Sequence, residues 1–441
     1  MAARRRRKQE PAEGRTQSID REGRGIVVRE AGPEIHVLGA LADETVRYLR
    51  VGRRGPEQAA LCLEVLEPSP RRVTPPCAHA ELCGGCSLQH MSLEDQRAHK
   101  LAVLQADLAE HEVAPERWLE TIAGASEGYR RRARLGLRWV AKKERVLVGF
   151  REKRDPRFVA DLEGCPVLAG ELGALIPALS ELVAATSLRD KLPQIELAVG
   201  ESSRVMVFRV LEAPTEADRE LLRAFGRVHG VRIDLQTGGL DTVAPMDGED
   251  PFSSYRVDGG AIELSFLPTD FVQVNAEINE LIIARVMEEL RLERGHSVLD
   301  LFCGLGNFTL PLARRVDSVL GIEGDEALVA RARSNAERNG LGHARFERQD
   351  LYRDPAAGAW AKQRFDRVLL DPPRSGAEAA LASVVATGAE RIVYVACAPN
   401  TLARDLGQLV HVHGYVLEAA GIADMFPHTA HVESIAVLRR A

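Results

Sequence analysis

No apolar stretch in this 441-residue chain approaches the ~20 residues a membrane helix needs. The N-terminal M-A-A-R-R-R-R-K-Q-E-P carries a basic run with no apolar segment after it, so no secretory signal is expected and the cytoplasm is the expected compartment. A surplus of positive charge is missing too. Lys plus Arg number 58 against 64 Asp plus Glu, a net charge of −6, which argues against a uniformly basic nucleic-acid binder. Internal repeats are absent. What is present is a soluble globular balance, 45% apolar and 28% charged, in a chain too long for one ordinary core. Two or three domains are expected.

Composition shifts along the chain suggest four parts. Residues 1–15 read as a disordered basic tail. Over 16–74, short alternating runs such as G-I-V-V-R and A-L-C-L-E-V-L, broken by Gly, Pro and charge, predict an OB-like five-stranded barrel. Residues 75–267 form a β-rich central domain with a helical break near 169–188. Within it, Ser92 and Asp95 resemble a capping box opening a helix near 92–112 that is expected to pack on the last domain. From 268 to 441, apolar strands alternate with helices, the pattern of a doubly wound α/β sheet. Two basic runs, Arg4–Lys8 and Arg130–Arg138, suit either solvated faces or phosphate neutralisation. Charge alone leaves both open.

Seven cysteines in a chain without an expected signal are poor material for disulfides. Cys77-x5-Cys83-x2-Cys86, with Gly84-Gly85 between the last two, is a metal signal, and Cys165 in E-G-C-P is a plausible fourth ligand. The two C-x-x-C pairs of a zinc ribbon are absent. Spacing leaves tetrahedral zinc and a [4Fe–4S] cluster both open.

In doubly wound sheets, ligands bind beyond the carboxyl ends of the strands. Reading those ends in order gives D-L-F-C-G-L-G-N with Asp300, Gly304, Gly306 and Asn307, then Glu323, Asp350, and Asp371 in D-P-P-R. The full G-x-G-x-x-G of dinucleotide folds is lacking, because Thr309 stands where the last glycine belongs. Each acid alone suits a capping role. Four strand ends in register describe an S-adenosylmethionine site in a Rossmann-like methyltransferase.

The fifth strand, R-I-V-Y-V-A-C-A-P-N-T, ends on Cys397. Free cysteine is often a small buried hydrophobe, which suits Cys303 and Cys62. Cys397 instead occupies a ligand-facing end before a helix N-terminus, a place expected to favour the thiolate. Pyrimidine C5 is too weak a nucleophile to take a methyl group unaided. Thiolate addition at C6 loads charge onto C5, and a base must later remove the C5 proton. F-P-H-T-A-H-V-E-S offers His428, His431 and Glu433 for that role.

With these motifs the chain resembles the RNA uracil-5-methyltransferases, and among them the branch that acts on 23S ribosomal RNA and carries a TRAM domain and a [4Fe–4S] cluster. The resemblance spans nearly the whole chain. It rests on C-x5-C-G-G-C-S-L-Q-H, F-V-Q-V-N, D-L-F-C-G-x-G-N-F, D-P-P-R, C-x-P-x-T-L-A-R-D and H-T-x-H-V-E-S. It implies a class I methyltransferase domain, a TRAM barrel at the N-terminus and a central iron–sulfur domain. It implies Cys397 as nucleophile, Glu433 as base, and Gln273, Phe302, Asn307, Glu323, Asp350 and Asp371 around S-adenosylmethionine. Cys77, Cys83, Cys86 and Cys165 would hold the cluster, and a monomer acting on 23S RNA without a membrane is expected. One departure stands out: the family places Asn after the nucleophile, and here the residue is Ala398. Rival readings are uracil methylation at another ribosomal or transfer-RNA site, and RNA cytosine-C5 methylation, whose nucleophile often comes after D-P-P, where this chain has Arg374. An amino-group methyltransferase needing no thiol and an iron–sulfur protein with an inactive methyltransferase domain complete the set.

Overall fold

A computed structural model describes residues 10–54 and 57–441, with the side chains of 52–57 left aside; the basic run Arg4–Lys8 lies outside the described residues. The chain divides into two compact units. One comprises Met1–Lys100, Gly149–Leu162 and Phe426–His431, the other Leu101–Val148, Glu163–Met425 and Val432–Ala441.

In the first unit, six strands rather than five form one sheet. Ala12–Arg15 lies beside Thr45–Arg54, then come Glu57–Glu67, Ile35–Leu38, Gly25–Val27 and Ser18–Ile19. Val27, Ile35, Val37, Val46, Tyr48 and Ala60 supply its core. The tail expected over 1–15 therefore ends early. Ala12 pairs with Tyr48 and Arg15 with Thr45, and Glu13 meets Arg47 at 2.9 Å, so cross-strand charge holds a segment whose polarity reads as disorder.

The second unit contains two large sheets. A six-stranded one runs Ala244–Pro245, Arg232–Gln236, Arg204–Arg209, Gln194–Val199, Arg132–Val140, Arg145–Gly149. The helical break appears as Ile176–Ala185. A second helix, Glu216–His229, escapes the β-rich reading although its signals stand in the sequence: a Thr215–Asp218 capping box and Gly230 in the left-handed region at φ 60°.

The other sheet is the doubly wound one. Its strands are β1 (Ser297–Leu301), β2 (Ser318–Glu323), β3 (Arg345–Arg348), β4 (Arg367–Leu370), β5 (Arg391–Ala396), β6 (Tyr415–Ala423) and β7 (Glu433–Arg440), ordered β3-β2-β1-β4-β5-β7-β6, with Arg117–Trp118 beside β6. β1 to β5 pair in parallel and β7 runs antiparallel between β5 and β6. Strands covered on both faces read as unbroken apolar runs, and every residue of β4 and β5 is buried. The helices are α1 (Ala276–Glu289), α2 (Thr309–Ala313), α3 (Glu326–Arg338), α4 (Glu378–Ala386) and α5 (Pro399–His411). Leu104, Leu108 and Val113 share the core of this sheet with Leu299, Val368 and Tyr394. The hairpin Ser253–Val257/Ile262–Phe266, expected in the central β-rich domain, is hydrogen-bonded to α3. Ser265 N donates to Asn335 Oδ1 (2.9 Å), and Asn335 Nδ2 returns a bond to Ser265 O (3.2 Å).

Candidate active site

The ligand edge of the doubly wound sheet collects the strand ends expected to carry the chemistry. β1 leads into a tight turn in which Phe302 itself adopts φ 65°. A non-glycine residue there is strained by about 1–2 kcal/mol, and its ring lies 5.7 Å from that of Tyr352. Gly304 comes next but one at φ 55°, and a Cβ added there would meet nothing within 4 Å. The turn thus leaves open space at the mouth of the sheet. Asp300 precedes it, fully buried. Its Oδ2 accepts from Thr309 Oγ1 at 2.6 Å, while Oδ1 is buried without a partner among the described residues. Burial, opposed by the Thr309 bond and reinforced by Asp371 and Glu323, pushes its pKa up to about 8.

Glu323, at the end of β2, gathers backbone donors. Its Oε2 accepts from Gly304 N (3.0 Å), and its Oε1 from Gly324 N (2.7 Å) and Asp325 N (3.0 Å). Asp350 accepts from Tyr352 N (3.0 Å) and Arg353 N (3.1 Å), bonds that hold its carboxyl below its ordinary value. Asn307 is expected to face a ligand, yet most of its amide is engaged. Oδ1 accepts from Tyr255 Oη (3.1 Å) and from Asn279 Nδ2 (3.0 Å), and Nδ2 donates to Asn279 Oδ1 (2.9 Å). Neither Tyr255 nor Asn279 is visible as a site residue in the sequence, because both read as core. Gln273 is tied by its carbonyl to Arg131 Nε (2.7 Å).

Arg131 belongs to the basic stretch for which phosphate contact is one reading. The structure buries Arg131 and partly buries Arg130 and Arg132, while Arg134 and Arg138 stay exposed. Arg131 is 5% exposed, with its guanidinium 4.3 Å above the Tyr255 ring. Arg132 donates to Pro268 O, and Arg134 pairs with Glu196 at 2.9 Å.

Around the fifth strand end the electrostatics change. Ala396 of β5 pairs with Ser434 of β7, so the antiparallel register carries Cys397 to the level of Glu433. Glu433 is 4% exposed. Burial, reinforced by Asp371 and eased by Arg374, pushes its pKa up to about 8. Burial alone pushes Asp371 to about 7. The Cys397 thiol, half-buried, is driven to about 11 by burial and by the two carboxyls, against the pull of Arg374. The expectation of a resting thiolate is thereby corrected: burial and two neighbouring acids outweigh the N-terminus of α5. His428 lies in the other unit, buried, its N–H donated to Gln96 Oε1 at 2.8 Å. Glu433 stands next after burial among the causes that raise the thiol.

In the first unit, Cys77, Cys83 and Cys86 share one electrostatic environment. Burial first, then the other two thiols, push Cys83 to about 11. Gly85 N donates to Cys83 Sγ at 3.4 Å. Gly84 N donates to Arg151 O (2.8 Å), an approach that a Cβ would block at 2.8 Å. Burial pushes the half-buried Lys153 ammonium below its ordinary value, against the pull of all three sulfurs. Cys165 sits in the second unit, its carbonyl accepting from Leu168 N at 3.4 Å. Among the described residues, no group of three or more His, Cys, Asp or Glu side chains is arranged to hold a metal ion.

The tRNA (Uracil-5-)-methyltransferase family model matches residues 92–354 and 356–441. The chain is similar, at 48% identity over 100% of its length and 99% of the relative's, to the 23S rRNA (uracil(1939)-C(5))-methyltransferase RlmD of Alkalilimnicola ehrlichii. It is 47% identical to the enzyme of the same name from Nitrosococcus oceani, over 98% of this chain and 97% of that one. Among solved structures, the Pyrococcus abyssi tRNA (uracil-54, C5)-methyltransferase in complex with S-adenosyl-L-homocysteine shares the fold, with TM-score 0.75 and 24% identity over 97% of this chain and 99% of that chain.

Proposed function

Since the chain belongs to the tRNA (uracil-5-)-methyltransferase family, we propose that it methylates C5 of a uracil in 23S ribosomal RNA, acting as a cytoplasmic monomer. The observation that carries this reading is the β5–β7 register, which brings a thiol and a buried carboxyl together at the ligand edge of the sheet.

Cys397 Sγ, having lost its proton to water, bonds to C6 of the flipped base, and the electron pair of the C5–C6 double bond moves toward C5 and O4. S-adenosylmethionine supplies an electrophilic methyl group to C5, and its fit here rests on the open turn at Gly304 and the unpartnered oxygen of Asp300. Gln273, Phe302, Asn307, Glu323, Asp350 and Asp371 are the residues proposed to hold it. Glu433 then takes the C5 proton, the double bond re-forms, and the C6–S bond breaks to return the thiolate. A carboxyl poised near 8 suits a base that must accept a weakly acidic carbon-bound proton near neutral pH. Ala398 carries no amide, so the base is oriented without that neighbour.

We also propose that Cys77, Cys83 and Cys86, with Cys165 as the fourth ligand, hold a [4Fe–4S] cluster in a central domain that comes after a TRAM barrel. The thiol set, the N–H donated to Cys83 Sγ and the Lys153 ammonium beside three sulfurs all suit an anionic cluster. C5 methylation needs no electron, so its role is structural. Iron and sulfide analysis with visible absorption of anaerobically purified protein tests this; Cys83→Ser should lose both signals, and colourless, iron-free wild-type protein would refute it.

For the principal reading, 23S RNA carrying 5-fluorouridine at the target should form a denaturant-stable adduct with the protein, because no C5 proton is available to remove. Mass spectrometry of ribosomal RNA from cells lacking the protein should show one missing 5-methyluridine. Loss of the mark from transfer RNA instead would reassign the substrate.

A further inference from the structure

Asn307 stands at the turn between β1 and α2, and its hydrogen bonds can be accounted for in full. A primary amide has two acceptor sites on oxygen and two N–H donors. Both acceptor sites are used, by Tyr255 Oη and by Asn279 Nδ2, and one donor is used, by Asn279 Oδ1. A single N–H is left over. The partners that fix this orientation are themselves buried. Asn279 is 1% exposed on α1, and Tyr255 is 2% exposed, its ring held edge-on to Phe266 at 5.7 Å and beneath the Arg131 guanidinium at 4.3 Å.

Orientation matters because an Asn–Asn pair can flip as a unit. In the flipped pair the phenol oxygen would have to accept from an amide N–H. A cation over the ring withdraws electron density from that oxygen, weakening it as acceptor and strengthening the O–H as donor. Arg131 therefore favours the arrangement in which Asn307 Oδ1 accepts two bonds and one Nδ2–H is left uncommitted. The same Arg131 donates to the Gln273 carbonyl at 2.7 Å, so one buried side chain ties together two residues assigned to the cofactor site.

We infer that Tyr255 and Asn279 are positioning residues for cofactor binding: they clamp the Asn307 amide so that its one uncommitted N–H is offered to an acceptor atom of the cofactor. This rests on the reading of the strand ends as an S-adenosylmethionine site. Neither residue touches the cofactor in this scheme; both act through Asn307.

A double-mutant cycle distinguishes that from general structural support. Affinity for S-adenosylmethionine and S-adenosylhomocysteine is measured by calorimetry on the full-length protein for wild type, Tyr255→Phe, Asn307→Ala and the double variant. Tyr255→Phe should weaken both ligands about fivefold, the typical effect of one buried hydrogen bond, while kcat at saturating cofactor stays near wild type. In the Asn307→Ala background the same change should cost nothing more. Should Tyr255→Phe not fold, Asn279→Ser carries the same cycle. Unchanged affinity in the single variant, or an equal loss in both backgrounds, overturns the inference. Wild-type protein that binds neither ligand would instead sink the cofactor reading itself.

Discussion

Glu323 and Asp350 stand at the ends of β2 and β3 much as Asp371 stands after β4 and Glu433 opens β7, yet the two pairs of carboxyls live in opposite surroundings. Glu323 receives three backbone N–H groups and Asp350 two. Asp371 and Glu433 gain no hydrogen bond from the described residues to offset their burial, and are pushed up to about 7 and 8. The difference lies in the backbone next to each carboxyl. A turn that exposes successive amides solvates a carboxylate, whereas D-P-P removes two N–H groups at once and β7 spends its amides on the ladder. In the proposed mechanism Cys397 and Glu433 handle the protons at one end of the sheet edge, while Glu323, Asp350 and Asp371 hold the cofactor.

If that division is right, changes on the proton-moving half should hit turnover and spare cofactor affinity. Cys397→Ala should lower methyl transfer by at least about a thousandfold, read by radiolabelled methyl incorporation, with S-adenosylmethionine binding retained. A parallel loss of binding would break the comparison. Glu433→Gln should slow turnover by about 10²–10⁴-fold and let the methylated RNA adduct accumulate as a shifted band on a denaturing gel. In wild type, kcat/KM should rise with pH through about 8 as Glu433 ionises, and the Gln variant should lose that limb.

The opposite half predicts the opposite split. Glu323→Gln weakens the charge-assisted bonds to the glycine turn and should reduce cofactor affinity about tenfold, with kcat at saturation little changed. The smallest effect concerns stability. Asp300, Asp371 and Glu433 have folded-state values of about 8, 7 and 8, all above those of an unfolded chain. Between about pH 5 and 8 the folded state thus binds more protons, and stability should fall as pH rises through that window. Asp300→Asn should flatten the fall by a few degrees in Tm; a Tm that climbs with pH would contradict the assignment.

Much of this site is legible in the sequence because strands buried on both faces leave unbroken apolar runs whose last residues can be counted off. Asp300, Glu323, Asp371 and Cys397 all lie where that counting puts them. The Tyr255–Asn279 clamp is not legible, since a buried Tyr in a hairpin and a buried Asn on a helix look like ordinary core. Nor is the fate of the basic stretch, because charge says nothing about which way a strand turns its side chains. The helix Glu216–His229 is a different kind of miss: its capping box and terminal glycine are there to be read, and the surrounding β-like runs outweigh them.

By itself the sequence determined the alternation of strands and helices in the doubly wound domain, the residue types at its strand ends and the presence of a thiol with an acid near it, because periodicity and residue type act locally. Only the tertiary structure decided the burial that pushes that thiol and its acids up, and the partners of the Asn307 amide. Those depend on burial and on partners distant along the chain, as Arg131 is from both Tyr255 and Gln273, and a linear pattern carries no measure of either.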